Sequence, residues 1–289
     1  MPKSAPPNRP LTISIVGPGN LGTALALTLP SAGYQVEFLV TRKATASSHA
    51  RTLARKVKAR LVEFGKQPLE TDLVWITVPD DAIPEVAKTL ARAQQWKGRF
   101  AFHSSGALTS DELAPLREKG AQVASVHPMM TFVRGVVPQM AGVSFAVEGD
   151  AAAVRLARRI VESLDATALP IKKRNKVLYH VFGSFASPLV IALMATLEEV
   201  ARAAGIRKQD IKPVMVPLLW QTLSNYLKHD AASAFSGPLV RGDVATVGKH
   251  LSELETLPQA REVYVALAKV ALQNLPVKNR SDLDKELNR

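Results

Sequence analysis

Apolar and polar positions fall into two textures that meet near Lys172. Up to Ile171, short apolar runs alternate with stretches in which apolar residues recur every three to four positions, the pattern of strands alternating with helices. Ile13, Ile15 and Val16 read as a buried parallel strand, and Ala24, Leu25, Leu27 and Thr28 supply the apolar face of the helix that follows. Tyr34–Val40 predicts a second strand, Ala44–Arg60 a loop and basic helix, and Leu61–Phe64 a third strand. Leu73–Val78 is a continuous apolar run, as expected of a strand buried on both faces, and Ala82–Ala93 is the next helix. Asp80 and Asp81 stand where N-caps of that helix would be. Further strands are predicted over 99–102, 122–126, 143–147 and 168–171, with helices from Thr109 or Ser110 to about Glu118 and over 151–164. The whole predicts an α/β fold with a doubly wound, mostly parallel sheet.

Beyond Lys172 no strand pattern survives, which predicts an all-helical C-terminal domain. One long helix is expected over Asn175–Ala204, with Gly205 as its stop. Pro188 inside it deletes a backbone hydrogen bond and should kink it. Asp210 is placed as the cap of a second helix that carries Pro213 and Pro217 near its start and ends at Leu227. A turn over 236–243 leads into Val244–Glu255 and then Pro258–Asn274, and the charged end from Val277 is expected to fray. The domain boundaries read as a polar, proline-rich, disordered leader over 1–10, a sheet domain over 11–171 and a helical domain over 172–289. Phe182, Phe185, Met194, Met215 and Trp220 read as bundle core. The helical half still holds more apolar residues than a small lobe can bury, which predicts a homodimer.

Composition narrows the function classes. At 289 residues, 47% hydrophobic and 21% charged, the chain is ordinary for a two-domain globular protein. With no cysteine, disulfides, thiolate catalysis and cysteine-ligated metal drop out, and a cytoplasmic location fits. No signal-type apolar core precedes Leu11, and no apolar stretch reads as both long and polar-free enough to span a bilayer. The net charge of +12 raises nucleic acid as a partner. The basic residues are dispersed, however, with Arg51, Arg55, Lys56, Lys58 and Arg60 on one helix and no aromatics interleaved, so no nucleic-acid or membrane partner is expected. A basic surface that attracts an anionic cofactor and a small-molecule substrate is the simpler reading. The histidines show no close pair at ligand spacing, so no metal is expected.

The candidate chemistry begins at Gly17-Pro18-Gly19-Asn20-Leu21-Gly22. Between a buried strand and a helix, this spacing gives a sharp turn, a close backbone approach to a pyrophosphate, and tight helix–strand packing. The helix N-terminus aims its N–H groups at the phosphates. Thr41, Arg42 and Lys43 follow the second strand, where a 2′-phosphate would lie, so NADP is favoured over NAD. Glu37, the competing acid, lies inside that strand, and a solvated basic loop is the plain alternative. Val78, Pro79 and Asp80 end another strand at the edge where such sheets bind ligands, as do His103, Ser104 and Ser105.

Together with His103-Ser104-Ser105-Gly106, His127-Pro128, Tyr179-His180 and Gly237-Pro238-Leu239-Val240-Arg241-Gly242-Asp243, these residues give a resemblance over nearly the whole chain. The chain resembles a family of NADP-dependent oxidoreductases related to pyrroline-5-carboxylate reductase, ketopantoate reductase and the deazaflavin-dependent NADP reductases. The resemblance implies a Rossmann NADP-binding domain, a helical C-terminal domain and hydride exchange with a small carbonyl or imine. It also implies an asparagine eight residues after His180, where this chain has Pro188. In related dehydrogenases a lysine and an asparagine on that helix face nicotinamide and substrate. A non-catalytic NADP-binding sensor is therefore the rival reading.

Five side chains are candidates for proton transfer or charge stabilisation. Lys176 and His180 lie four apart on one helix face. A lysine there could polarise a carbonyl, or belong to the solvated Lys172-Lys173-Arg174 run. His103, His127 and His180 could each exchange a proton near neutrality, while His103 and His127 could instead hold strand-end loops together. Arg241 offers a planar fork for an acidic substrate, or a salt bridge to Asp243.

Overall fold

The structure is a computed structural model that describes residues 9–42, 48–133, 135–136 and 139–289. Lys43 and residues 1–8 and 44–47, and with them most of the expected leader and the loop before the basic helix, lie outside the described residues. The chain divides into two compact units, Met1–Ser184 and Phe185–Arg289.

The first unit is built on an eight-stranded sheet: β1 (Thr12–Val16), β2 (Gln35–Thr41), β3 (Arg60–Glu63), β4 (Leu73–Ile76), β5 (Phe100–His103), β6 (Gln122–Pro128), β7 (Ser144–Gly149) and β8 (Thr167–Pro170). Their order is β3-β2-β1-β4-β5-β6-β7-β8, and every neighbouring pair is parallel except β6 with β7. The connections are α1 (Asn20–Thr28), α2 (Ser48–Lys56), α3 (Ile83–Ala93), α4 (Ala114–Glu118) and α5 (Ala151–Ser163); α6 (Lys176–Ala186) follows β8. The apolar runs work as the pattern predicts, because successive side chains of a strand point to opposite faces. Ile13, Ile15, Leu73 and Trp75 join one core with α1 and α5, while Val16, Val74 and Ile76 join the other with α3. Burial of each such side chain contributes about 1.5–3 kcal/mol, so both faces of β1 and β4 fix the switch point between them.

The observed strands match the predicted ones within about three residues. A register shift between Ile13 and Ser14 leaves Glu37 as the extra residue of β2, where Arg60 donates to its Oε1 at 2.9 Å. Asp80 and Asp81 do not cap a helix with their side chains: Pro79 holds the cap position of a single 3-10 turn. Thr109 does cap, accepting from the Asp111 N–H.

The second unit is helical among its described residues: α7 (Pro188–Ala203), α8 (Lys208–Lys228), α9 (Ala231–Ala234), α10 (Pro238–Arg241), α11 (Val244–Glu253), α12 (Pro258–Asn274) and α13 (Arg280–Leu287). Ser187, at φ −135° and ψ −81°, breaks the expected long helix just before Pro188. The N-cap of α8 is Arg207, and Asp210 instead accepts from its guanidinium at 2.6 Å. The tail is a helix rather than a frayed end, because Leu283 and Leu287 pack on Val247, Leu251 and Leu272. At Gly242, φ is +70° and a Cβ would stand 2.8 Å from the Lys278 backbone, so this corner requires glycine.

Two expectations are corrected. Phe182, Phe185 and Trp220 are exposed, at 61%, 65% and 71%, rather than bundle core. The stretch Lys173–Ala203 is long and apolar enough to cross a membrane by length and composition, where no such stretch is expected. No Asp, Glu, Lys or Arg occurs between Val177 and Leu197.

Candidate functional site: a glycine cradle and a buried ammonium

The carboxyl ends of β1, β2 and β4 surround a cavity of about 370 Å³ lined by Gly17, Gly19, Thr41, Arg42, Val78 and Pro79, among others. Its floor is backbone. Gly17 has φ +90°, and a Cβ there would meet Val78 Cγ1 at 2.7 Å. A Cβ on Gly22 would meet both Gly17 O and Thr77 Oγ1 at 2.6 Å. Gly19, by contrast, has among the described residues only Gly17 O within 4.0 Å of its Cβ position, which leaves its outer side open to them. It is the N-cap of α1 and has no side chain to cap with, which leaves the first-turn N–H groups of Asn20, Leu21 and Gly22 to an anion. Thr77 Oγ1 donates to Gly17 O at 2.7 Å and locks the turn. This cradle fits a dinucleotide pyrophosphate, and the Arg42 guanidinium at the tip of β2 fits a further phosphate. The Asn20 side chain is used elsewhere, donating to Phe132 O at 2.9 Å.

A second constellation lies at the ends of β5 and β6. His103 is fully buried and both of its nitrogens are engaged: Nδ1 accepts from the Ser105 N–H at 3.1 Å, and Nε2 donates to Thr109 O at 2.9 Å. Ser104 accepts from the Trp75 indole at 2.8 Å. Ser105 Oγ donates to Asp80 Oδ2 at 2.7 Å and accepts from the Leu108 N–H at 2.9 Å. Ser110 donates twice to buried Glu148, from its N–H at 2.6 Å and its Oγ at 2.8 Å. These bonds hold the loop after β5 from inside. Asp80, His103, Ser104 and Ser105 thus spend their side chains on shaping the loop, which leaves its backbone and outer surface for a ligand.

Into this loop reaches Lys176, only 1% exposed, whose ammonium donates to Ser105 O at 2.9 Å and to Ser125 Oγ. The solvated-run alternative is therefore corrected for Lys176, the first residue of α6. Burial disfavours the charge and lowers its pKa to about 8, against the pull of Glu148 and Asp80. Tyr179, His180 and Gly183 continue the same face of α6 at helical spacing. Tyr179 Oη lies 3.0 Å from His127 Nδ1, the His180 and His127 rings are 6.1 Å apart, and a Cβ on Gly183 would meet Met129 Sδ at 2.9 Å. Burial, with Lys176 nearby, lowers both His103 and His127 to about 4. The expectation that these two exchange protons near neutrality is corrected accordingly.

Arg241 belongs to the second unit, at the end of α10. The expected alternative of a pair with Asp243 is not what forms, because that carboxylate caps α11 through the Thr246 N–H at 3.0 Å and Oγ1 at 2.7 Å. Sequence reasoning missed Ser125, Glu148 and Thr77. Each is a polar residue in or just after an apolar strand, a signal that marks a buried hydrogen bond without naming its partner.

A Rossmann-like domain matches residues 3–128 and a Domain of unknown function (DUF2520) matches residues 143–271. No curated protein matches the chain. Among solved structures, a protein from Thermotoga maritima is similar at 22% identity and TM-score 0.71, covering 96% of this chain and 100% of its own. An imine reductase from Myxococcus stipitatus in complex with NADP+ is similar at 15% identity and TM-score 0.67, covering 96% and 100%. A pyrroline-5-carboxylate reductase from Coxiella burnetii is similar at 16% identity and TM-score 0.57, covering 96% and 97%. The chain thus joins a Rossmann-like domain to a DUF2520 domain, in a fold it shares with NADP oxidoreductases of the imine and pyrroline-5-carboxylate reductase kind.

Proposed function

We propose that the protein is an NADP-dependent oxidoreductase that exchanges hydride with a small carbonyl or imine compound carrying an acidic group. The cradle carries this reading: Gly17 and Gly22 leave no room for a Cβ, Gly19 is open, and the uncapped N-terminus of α1 lies beside it. Arg42 would hold the 2′-phosphate, with Thr41 beside it. The bound nicotinamide supplies or accepts a hydride, and the substrate oxygen or nitrogen exchanges one proton to complete the two-electron change. Lys176, protonated below about pH 8, stabilises developing negative charge and restores that proton. Its ammonium stays oriented by Ser105 O and Ser125 Oγ. His127 is neutral at that pH and serves as a donor rather than as an acid, and His180 stands beside it.

The test follows NADPH absorbance with a panel of 2-keto acids and cyclic imines. Turnover by the unmodified protein, lost at least tenfold in Lys176→Met with NADPH affinity within about twofold, supports the reading. Tight NADPH binding with no turnover would instead favour the sensor, for which Pro188 in place of the family asparagine is the motive.

A second copy of the chain completes the reading. Val214, Val216, Leu218, Trp220, Leu223 and Leu227 are all exposed on α8, with Leu227 at 75%. So much apolar surface on one helix calls for a cover, and a symmetric homodimer supplies one by matching the surface to itself. No membrane and no nucleic acid enter this reading. A dimer by sedimentation at micromolar concentration, converted to monomer by Trp220→Glu, is expected. A monomeric unmodified protein refutes it.

A further inference from the structure

Lys176 and Glu148 carry opposite charges and are both buried, at 1% and 5% exposure. Neither meets the other directly. Among the described residues Lys176 forms no ion pair, and the two oxygens it donates to, Ser105 O and Ser125 Oγ, belong to neutral groups. Glu148 likewise spends both carboxylate oxygens on neutral donors, the Ser110 N–H at 2.6 Å and Ser110 Oγ at 2.8 Å. A buried ammonium held by neutral oxygens alone tends to shed its proton, because nothing offsets the loss of water around the charge.

The strand register brings the two charges to one spot. β6 and β7 are antiparallel, and Ser125 is the residue directly opposite Glu148. Residues so paired project side by side from the same face of the sheet. The hydroxyl that accepts from Lys176 therefore stands beside the carboxylate, where the low dielectric carries attraction further than water would. The other titratable neighbours do not supply a buried negative charge. His103 on β5 and His127 on β6 are held neutral, at about 4, by burial first and by Lys176 second. On α6, burial pushes the Tyr179 phenol up to about 12, and His180 is never an anion. Lys173, just before α6, pairs at the surface with Asp111. Asp80, after β4, is a carboxylate, but it is exposed and takes the Ser105 Oγ proton at 2.7 Å, so water and salt screen it.

We infer that Glu148 is the counter-charge of Lys176, a positioning residue that acts across Ser125, without contact, to keep the buried ammonium protonated. The assignment of the counter-charge stands on the fold alone. Its consequence for catalysis, that Glu148 sets the pH up to which Lys176 can give a proton to the substrate, rests on the oxidoreductase reading. The pull of Glu148, with a smaller one from Asp80, works against the larger effect of burial, and the balance leaves the ammonium at about 8.

Glu148→Gln isolates the charge, since an amide can accept from the Ser110 N–H and donate to Ser110 Oγ, keeping both bonds. The protonation of Lys176 is read from lysine Cε resonances of the 13C-lysine-labelled full chain, with no ligand present, as the signal that Lys176→Met removes. The expected midpoint is about 8 in the unmodified chain. In folded Glu148→Gln it falls by at least about one pH unit, a tenfold change in acidity. A smaller fall, or none, overturns the assignment. If that variant does not fold, the unmodified chain is titrated at about 0.05 M and about 1 M salt, because a buried charge is little screened and an exposed one strongly. A midpoint moved by less than about half a unit supports Glu148, and a larger fall gives the role to Asp80 and overturns it. Where NADPH turnover is found, the alkaline limb of its pH–rate profile should move down with the midpoint in Glu148→Gln. A limb that stays while the midpoint moves overturns the catalytic half alone. Absence of turnover overturns the oxidoreductase reading, and the counter-charge is still judged from the titration.

Discussion

The glycine cradle and the buried ammonium stand at the ends of strands in one sheet, yet they are made of different material. The cradle is backbone, formed by residues nearly contiguous from Ile15 to Gly22 and closed by Thr77 and Val78. The ammonium site is side chains: Lys176 reaches partners 51 and 71 residues away in sequence. A backbone site tolerates no added atoms but needs no particular charge state. A side-chain site depends on protonation and on polar groups that lose their partners when one is removed. The two should therefore fail differently when changed.

The largest effect is expected at the cradle. Gly22→Val adds a branched side chain where even a Cβ stands 2.6 Å from Gly17 O and Thr77 Oγ1. NADPH affinity should fall about a hundredfold, or roughly 3 kcal/mol, with a stability loss of about 1–3 kcal/mol from overpacking. Calorimetric titration and thermal melts check both, and unchanged affinity would mean that the phosphates do not pass here.

The buried ammonium should show itself through pH. The folded-state pKa of Lys176, about 8, lies below the ordinary lysine value of 10.5. Between those values the unfolded chain binds more protons than the folded one, so stability rises with pH. The lysine thus opposes folding below about pH 8, and relief across the window is on the order of 1–3 kcal/mol. Urea midpoints of the unmodified protein should rise from pH 8 to 10 relative to Lys176→Met. Parallel profiles for the two proteins would show that the ammonium is not desolvated.

The same contrast explains what could be read in advance. The strands, the glycine turn and the basic tip of β2 are local patterns, and the sequence placed them within a few residues. The break at Ser187 was visible as Pro188, and the Thr109 cap as a threonine before an acidic turn. The roles of Ser105, Ser125 and Glu148 were not legible, because each depends on a partner brought in by the sheet order. Lys176 could be assigned to a helix face, but whether that face was wet or dry needed the loop after β5. The covered tail from Val277 was missed for a similar reason: two leucines, Leu283 and Leu287, sit among charges and find a core on α11 and α12.

A smaller effect separates the cradle from the tip beside it. Arg42→Asp leaves the backbone turn intact and reverses one charge, so NADPH should weaken about tenfold or more while NADH changes little or improves. Because the contact is exposed, added salt should shrink the difference in the unmodified protein. A variant that weakens both cofactors equally would show that Arg42 does not meet the 2′-phosphate.

The central claim is that the first unit holds a phosphorylated nicotinamide dinucleotide on the backbone of Gly17–Gly22. Fluorescence titration of the purified full chain with NADPH and, separately, NADH at low salt tests it most directly. The account predicts saturable binding of one dinucleotide per chain, tighter for NADPH. Absence of saturable binding by either dinucleotide would contradict it.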